Sequence, residues 1–179
     1  MKLPVKIGLL AASIFIAIKL ICLQLEWSLY EIKPFVFINM FLITAAISFA
    51  LFQIKRYEAD SNFLNDVKNG MSAGLPYTIV VGVFLYFYYQ NIFPDYTQSK
   101  LDYMEHQLND PDNIKDLKNE NEDLSNKSDQ EIKKLMMNNT EMMYSAKFTM
   151  VITLLGLTIF SAINSLIISL IYRRIVFRN

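Results

Sequence analysis

Residues 148–172 indicate the fold class: the stretch FTMVITLLGLTIFSAINSLIISLIY runs for 25 residues without a charged side chain. Two more uncharged runs precede it, at residues 34–54 and 69–94. At about 1.5 Å per residue, an α-helix of roughly 20 residues crosses the hydrocarbon layer of a bilayer, which is about 30 Å thick. Each of the three runs is long enough, so each is predicted to be a membrane-spanning helix.

A fourth span is predicted at residues 5–25, although this stretch contains Lys19. Its Leu, Ile, Val and Phe residues together favour insertion by roughly 4–7 kcal/mol, whereas a lysine opposes it by at most about 3.5 kcal/mol. The stretch also resembles a secretory signal peptide, because Lys2 and Lys6 precede an apolar run. No small-residue cleavage site follows it, so we expect a retained first helix.

Most of the charge lies between the third and fourth runs. Residues 95–147 hold 12 acidic residues and 7 lysines, which is 19 of the 34 charges in the chain. Apolar residues at helical spacing and a capping box from Ser128 to Glu131 predict two or three helices here. We expect the last one to run unbroken into the fourth span, since no Pro or Gly intervenes before Gly156. Its shared face is predicted to be formed by Ile132, Leu135, Met136, Asn139 and Met143.

The predicted fold is therefore all-α: an integral membrane four-helix bundle with an exterior helical hairpin between helices three and four. Three segments follow, residues 1–94 with helices one to three, residues 95–147 outside the membrane, and residues 148–179 with helix four and a tail. Lysines and arginines near span ends accumulate on the cytoplasmic side of membranes. Eight of them favour the side of the two termini, so both termini are expected to be cytoplasmic: Lys2, Lys6, Lys55, Arg56, Lys68, Arg173, Arg174 and Arg178.

The bulk composition excludes several classes of function. A net charge of zero argues against nucleic-acid binding, which needs a concentrated basic surface. A single cysteine, Cys22, and a single histidine, His106, exclude an internal disulfide framework and a His-rich metal site. No Ser-His-Asp set, glycine-rich phosphate loop or pair of catalytic carboxylates stands out. We therefore expect no enzymatic activity and no cofactor.

The basic residues in and beside the spans are candidates for lipid contact. Apart from Lys6 at the start of the first span, Lys19 is the one charged residue in a predicted span, where ionisable groups are often functional. It is expected to bind an anionic headgroup, to pair with Glu26 or Glu31, or to extend its ammonium group to the membrane surface. Basic residues at span ends are interpreted as anchors on anionic lipid: Lys55, Arg56, Arg173 and Arg174.

Small and amide residues predict where the helices pack. Small side chains let helix backbones approach closely, and amides hydrogen-bond between helices. The candidates are Gly70, Gly74, Gly82, Gly156 and Asn164. The methionines near the fourth span favour a helix-packing seam over the alternative, a copper(I) site of thioethers and an imidazole. That alternative would use Met136, Met137, Met142, Met143 and His106.

The order of these features resembles a family of bacterial four-helix membrane proteins catalogued as domain of unknown function 4199. The resemblance rests on short stretches through nearly the whole chain: VKIGL at 5–9, IKRY at 54–57, Phe63, DVKNGM at 66–71, FPDY at 93–96 and DQEI at 129–132. A proline that such proteins often carry before helix four is replaced here by YSAK at 144–147. The resemblance implies a multi-pass protein of the bacterial inner membrane, with the hairpin in the periplasm, and implies no catalytic residue.

Two functions remain open on the sequence. The first is a non-enzymatic inner-membrane subunit or scaffold that binds partner envelope proteins through its helices and exterior hairpin. The alternative is an accessory protein that handles lipid or polyprenyl-linked sugars, with Lys19 contacting an anionic headgroup. A channel would require oligomerisation, because four helices can hardly enclose a pore. The oligomeric state is not predicted.

Overall fold

A computed structural model describes residues 2–27, 30–57 and 62–176. Its α-helices are α1 Leu3–Gln24, α2 Lys33–Tyr57, α3 Phe63–Phe87, α4 Asp95–Leu108, α5 Pro111–Glu120, α6 Glu122–Ser125, α7 Asp129–Tyr144 and α8 Ala146–Ile171. A π-helical turn follows α3 at Tyr88–Ile92, and another follows α8 at Tyr172–Val176. No strand occurs in the described residues, which confirms the all-α prediction. Arg178 lies outside them.

Four helical segments are long and apolar enough to cross a membrane: Leu3–Gln24, Lys33–Tyr57, Phe63–Ile92 and Ala146–Val176. The shortest has 22 residues, which corresponds to roughly 33 Å of helix. The four-span prediction is therefore confirmed. The helices extend beyond the uncharged runs, so Lys55 and Asp66 lie within helical segments rather than in the connection between them.

The first compact unit comprises residues Met1–Phe84 and Met150–Asn179 and contains α1, α2, most of α3 and most of α8. Its helices approach closely at glycines. A methyl group added to Gly8 would collide with the backbone carbonyl of Ala73, and one added to Gly74 would collide with the Ser161 side chain. Such contacts are typical of membrane helices, which associate through small residues because lipid is itself apolar.

Interhelical hydrogen bonds reinforce this packing. The hydroxyl of Tyr77 in α3 donates to Oδ1 of Asn39 in α2 over 2.6 Å, and both side chains are buried. The hydroxyl of Thr44 in α2 donates to Oδ1 of Asn164 in α8 over 3.3 Å. In an apolar environment a polar group needs such a partner, so these bonds favour one register of the helices over others.

The second compact unit, Leu85–Thr149, is called the inter-span unit below. Helices α5, α6 and α7 begin at side-chain caps: Asp110 accepts from the backbone N–H of Asp112, Asn121 from that of Asp123, and Ser128 forms the predicted capping box with Glu131. Helices α4 and α7 pack together. They run antiparallel, because Thr97 near the start of α4 donates to the carbonyl oxygen of Tyr144 at the end of α7.

The inter-span unit has a hydrophobic core of its own. Four buried side chains from α4, α5, α6 and α7 form it: Leu108, Ile114, Leu124 and Ile132. The predicted shared face of α7 is only partly right. Ile132 and Met136 pack at this core, but Leu135, Asn139 and Met143 are exposed, and Thr140 is buried instead.

The expectation of an unbroken helix into the fourth span is wrong. Ser145 has extended backbone angles (φ −63°, ψ 149°), which end α7 at Tyr144 and allow α8 to begin at Ala146. Its hydroxyl oxygen accepts a hydrogen bond from the backbone N–H of Phe148, so serine caps the new helix. The helix therefore breaks without Pro or Gly, because the serine side chain takes the place of a backbone carbonyl as acceptor for an N–H group in the first turn of α8.

Candidate functional site

An ion cluster lies inside one end of the first unit. The carboxylate of Asp66 is 1% exposed, and its Oδ2 atom lies 2.9 Å from Nζ of Lys55. The same oxygen accepts a hydrogen bond from Nε of Arg173 over 2.7 Å. Charge-assisted hydrogen bonds of this length are among the strongest in proteins, and removing one partner of a buried pair is strongly destabilising.

Helix direction explains why these three residues meet. Lys55 lies in the last turn of α2, Asp66 lies in the first turn of α3, and Arg173 follows the end of α8. A carboxylate is favoured at a helix N-terminus and a cation at a helix C-terminus, because each complements the helix dipole. The ion cluster thus joins three helices at one end of the first unit.

This cluster was missed by the sequence analysis, which interpreted Lys55 and Arg173 as lipid anchors. Lys55 is instead 4% exposed, and Arg173 is turned toward Asp66. Arg56 and Arg174 are exposed, so a lipid contact stays open to them. The sequence did offer one indication of this cluster. Asp66 lies just before the uncharged run at 69–94, and in an antiparallel bundle this places it at the same end as the basic residues that follow other spans.

A polar cavity of about 500 Å³ lies in the same unit, where α1 begins, α2 ends and α3 begins. Two lysines and three carboxamides line it, together with a tyrosine and three apolar residues: Lys2, Leu3, Pro4, Gln53, Ile54, Tyr57, Asn65, Lys68 and Asn69. None of these lining residues, in the part of the chain that the structure describes, is acidic. We call this space the lysine cavity.

Lys19 is buried rather than turned to a membrane surface. Its side chain is 1% exposed, and its Nζ atom lies 3.4 Å from the centre of the Phe35 ring, in a cation–π arrangement between α1 and α2. The ammonium group is therefore held inside the protein in this structure. The expected contact with an anionic headgroup would require this arrangement to open.

The glycines on α3 lie at helix contacts, but Gly156 does not. Added methyl groups would meet Ser165 at Gly70 and Leu154 at Gly82, both closer than ordinary van der Waals contact. A methyl group added at Gly156 would have no atom of another helix within 4 Å, so the close approach predicted there does not occur. Gly156 instead lines an apolar groove of about 340 Å³ between α2 and α8.

The methionines of α7 are divided between two environments. Met136 and Met137 are half-buried and pack against the core of the inter-span unit, whereas Met142 and Met143 are exposed. His106 is exposed on α4. The first pair occupies the packing seam that the methionine pattern favoured, because flexible thioethers fill irregular gaps. The five residues of the copper alternative are thus divided between the core and the exposed surface of the unit.

Aromatic rings form a further cluster in the inter-span unit. The Tyr96 ring lies 4.7 Å from the Tyr89 ring and 6.0 Å from the Tyr144 ring, and the Tyr96 side chain is 1% exposed. Burial raises the pKa of the Tyr96 hydroxyl above its ordinary value, and the nearby Tyr144 adds to the shift. Among the described residues, the Tyr96 hydroxyl has no hydrogen-bond partner.

Four long apolar helices, packed through glycines and with three of them joined at one end by an ion cluster, define a multi-span helical membrane protein. The chain matches the sequence profile of a family described as Protein of unknown function (DUF4199) over residues 5–174, and it belongs to that family. The family resemblance stated from short motifs is thereby confirmed. No curated protein and no solved structure matches the chain.

Proposed function

We propose that this protein is a non-enzymatic membrane subunit that holds a partner protein through its inter-span unit. One observation carries the proposal: residues Leu85–Thr149 fold around their own core and still leave large apolar side chains exposed on α7. A short link would suffice to join two spans. A capped, separately packed unit with an apolar surface is better suited to binding.

The exposed surface has helical regularity. Leu135 and Met142 are seven residues apart, which places them on one face of α7, and they are 38% and 57% exposed. Asn138 and Asn139 lie between them on the same face and carry no charge. Exposed apolar side chains beside uncharged polar ones are typical of protein contact surfaces, and methionine adapts readily to a partner. We call Leu135, Asn138, Asn139 and Met142 the α7 face.

The side of the membrane determines which partners are available. The lysine and arginine bias favours cytoplasmic termini, so the inter-span unit would lie on the opposite, periplasmic side of a bacterial inner membrane. The partner would then be another envelope protein whose apolar surface complements the α7 face.

Site-specific photo-crosslinking of the full-length chain in its native membranes tests this proposal. A photoreactive residue at Leu135 or Met142 should give one discrete adduct with another protein. The same residue at Lys115, which is exposed on the same unit, serves as the control and should not. A photoreactive residue at Asn139, which is exposed on the same face, should give the same adduct, and adding Leu135→Ser/Met142→Ser should abolish that adduct without losing protein. Equal adducts from Lys115, no adduct at all, or adducts of the chain with itself alone would contradict the proposal.

Handling of lipid or polyprenyl-linked sugars is a second candidate, favoured by the apolar groove between α2 and α8. A groove that is open at Gly156 and lined by Met40 and Phe160 has the character of an acyl-chain site. The burial of Lys19 against Phe35 argues against the version in which Lys19 contacts the headgroup. The variant Lys19→Met tests the version in which Lys19 contacts the headgroup. If Lys19 makes that contact, handling of the lipid-linked sugar should disappear while the protein level stays unchanged.

A further inference from the structure

The lysine cavity has the chemical character of an anion site. Its polar lining supplies ammonium groups from Lys2 and Lys68 and amide N–H groups from Gln53, Asn65 and Asn69, all of which are hydrogen-bond donors. Within the described residues, neither Lys2 nor Lys68 forms an ion pair. Among the described residues that line it, none supplies a carboxylate that would attract a cation instead.

The spacing of the α3 residues directs these donors to one place. Asn65, Lys68 and Asn69 stand at i, i+3 and i+4, so they share one face of the helix, and this face lines the cavity. Asp66 lies on a different face and is held by Lys55 and Arg173. The ion cluster therefore fixes the start of α3 while leaving the donors directed to the cavity.

The position of the cavity along the helices indicates which class of anion it would meet. Lys2 immediately precedes the α1 span, Tyr57 ends the α2 span, and Lys68 lies in the second turn of the α3 span. These are the ends of hydrophobic helices, where lipid headgroups and water meet the hydrocarbon layer. Lysine is well suited to phosphate as a mobile point charge, and amide N–H groups can satisfy further phosphate oxygens.

We propose that the lysine cavity binds a phosphate group, carried by an anionic phospholipid headgroup or free in solution. The proposal is independent of partner binding by the α7 face, because it concerns other residues in the other unit. It differs from general attraction to an anionic membrane surface, because Lys2 and Lys68 act here with the amides of one cavity.

The test uses the full-length chain in a neutral detergent and native mass spectrometry with added phosphatidylglycerol. Phosphatidylcholine, which has no net charge, is the lipid control. The variant Lys2→Gln/Lys68→Gln should weaken phosphatidylglycerol binding about thirty-fold, or roughly five-fold for each lysine. The matched control is Lys6→Gln/Arg56→Gln, which removes two exposed charges from the same helix ends but replaces no residue that lines the cavity. It should leave binding nearly unchanged.

A titration with inorganic phosphate distinguishes the two sources of the phosphate. Displacement of phosphatidylglycerol by inorganic phosphate, with the same dependence on Lys2 and Lys68, would support a site that accepts the free ion. Lysine-dependent lipid binding that inorganic phosphate does not displace would support a lipid headgroup. Equal losses in the two double variants, or binding of neither probe, would overturn the proposal. Size-exclusion profiles of the variants establish that they remain folded.

Discussion

Nζ of Lys55 and Oδ2 of Asp66 form an ion pair over 2.9 Å, and the two side chains are only 4% and 1% exposed. The two residues come from successive helices and are joined to α8 by Arg173. Asp66 is therefore the residue that links the three helices at this end of the first unit, because both cations contact its Oδ2 atom.

Replacement of Asp66 should therefore destabilise the protein strongly. The variant Asp66→Asn leaves two buried or half-buried cations without their carboxylate, and breaking a buried ion pair costs about 3–5 kcal/mol. Thermal unfolding in detergent should show a large loss. The matched control is Asp112→Asn, which breaks the exposed pair with Lys115 and should change the unfolding temperature very little. Similar effects of the two substitutions would contradict a structural role for the buried cluster.

A pair of glycine substitutions tests the helix packing. The variant Gly8→Ala places a methyl group against the backbone carbonyl of Ala73, which cannot turn aside as a side chain can. Forced overpacking of this kind typically costs about 1–3 kcal/mol. Gly156→Ala meets open space and should be neutral or slightly stabilising, since alanine favours helix over glycine. The unfolding free energies of the two variants in the same detergent should differ clearly, and equal values would contradict the packing.

Removing the buried hydroxyl of Tyr96 should not destabilise the protein, in contrast to replacing Asp66 or Gly8. Burying a hydroxyl without a partner is unfavourable, so Tyr96→Phe should keep or raise the unfolding temperature while retaining the ring contacts with Tyr89 and Tyr144. Tyr103→Phe, at an exposed position on the same helix, is the control and should have no effect. A clear drop for Tyr96→Phe alone would mean that the hydroxyl has an important partner.

Acid should weaken the start of α7. Hydrogen bonds from the Ser128 backbone and side chain lower the pKa of Glu131, and the hydrogen bond and charge of Lys118 lower the pKa of Asp129. A lowered pKa in the folded state means that the stabilisation is present above the unfolded value, about 4.3 for Glu and 3.9 for Asp, and is lost as the pH falls through the folded value.

Ser128→Ala isolates the contribution of the capping box. The substitution removes two hydrogen bonds with Glu131, one that the hydroxyl donates to the carboxylate and one that it accepts from the backbone N–H. Ser128→Ala should therefore be less stable than the wild type at neutral pH and should lose less helicity as the pH falls. Circular dichroism between pH 7 and pH 3 measures this. An unchanged acid transition in Ser128→Ala would show that Glu131 does not contribute through the capping box.

The spans were predictable because hydrophobic length alone determines them. An uncharged run such as 148–172 has few alternatives to a membrane helix, and the capping box at Ser128 follows from a local rule. The break at Ser145 was not predictable in the same way, because serine is compatible with both a continued helix and a new cap.

The ion cluster and the lysine cavity depend on tertiary structure. Lys55, Asp66 and Arg173 are separated by 11 and 107 positions, and only the antiparallel order of the helices brings them together. The same basic residues at span ends could equally have faced lipid, as Arg56 does face outward. Which face of a helix end turns inward is decided by packing, so sequence reasoning did not foresee that Lys55 and Lys19 would be buried.

The arrangement of the chain across the membrane is the central claim, and topology reporters test it most directly. Reporters fused at the N-terminus, at the C-terminus and within residues 110–130 read out the side of the membrane for each segment. Four spans with the inter-span unit outside predict that both terminal reporters are cytoplasmic and that the internal one is on the opposite side. Terminal reporters on different sides, or an internal reporter on the same side as the termini, would contradict this account.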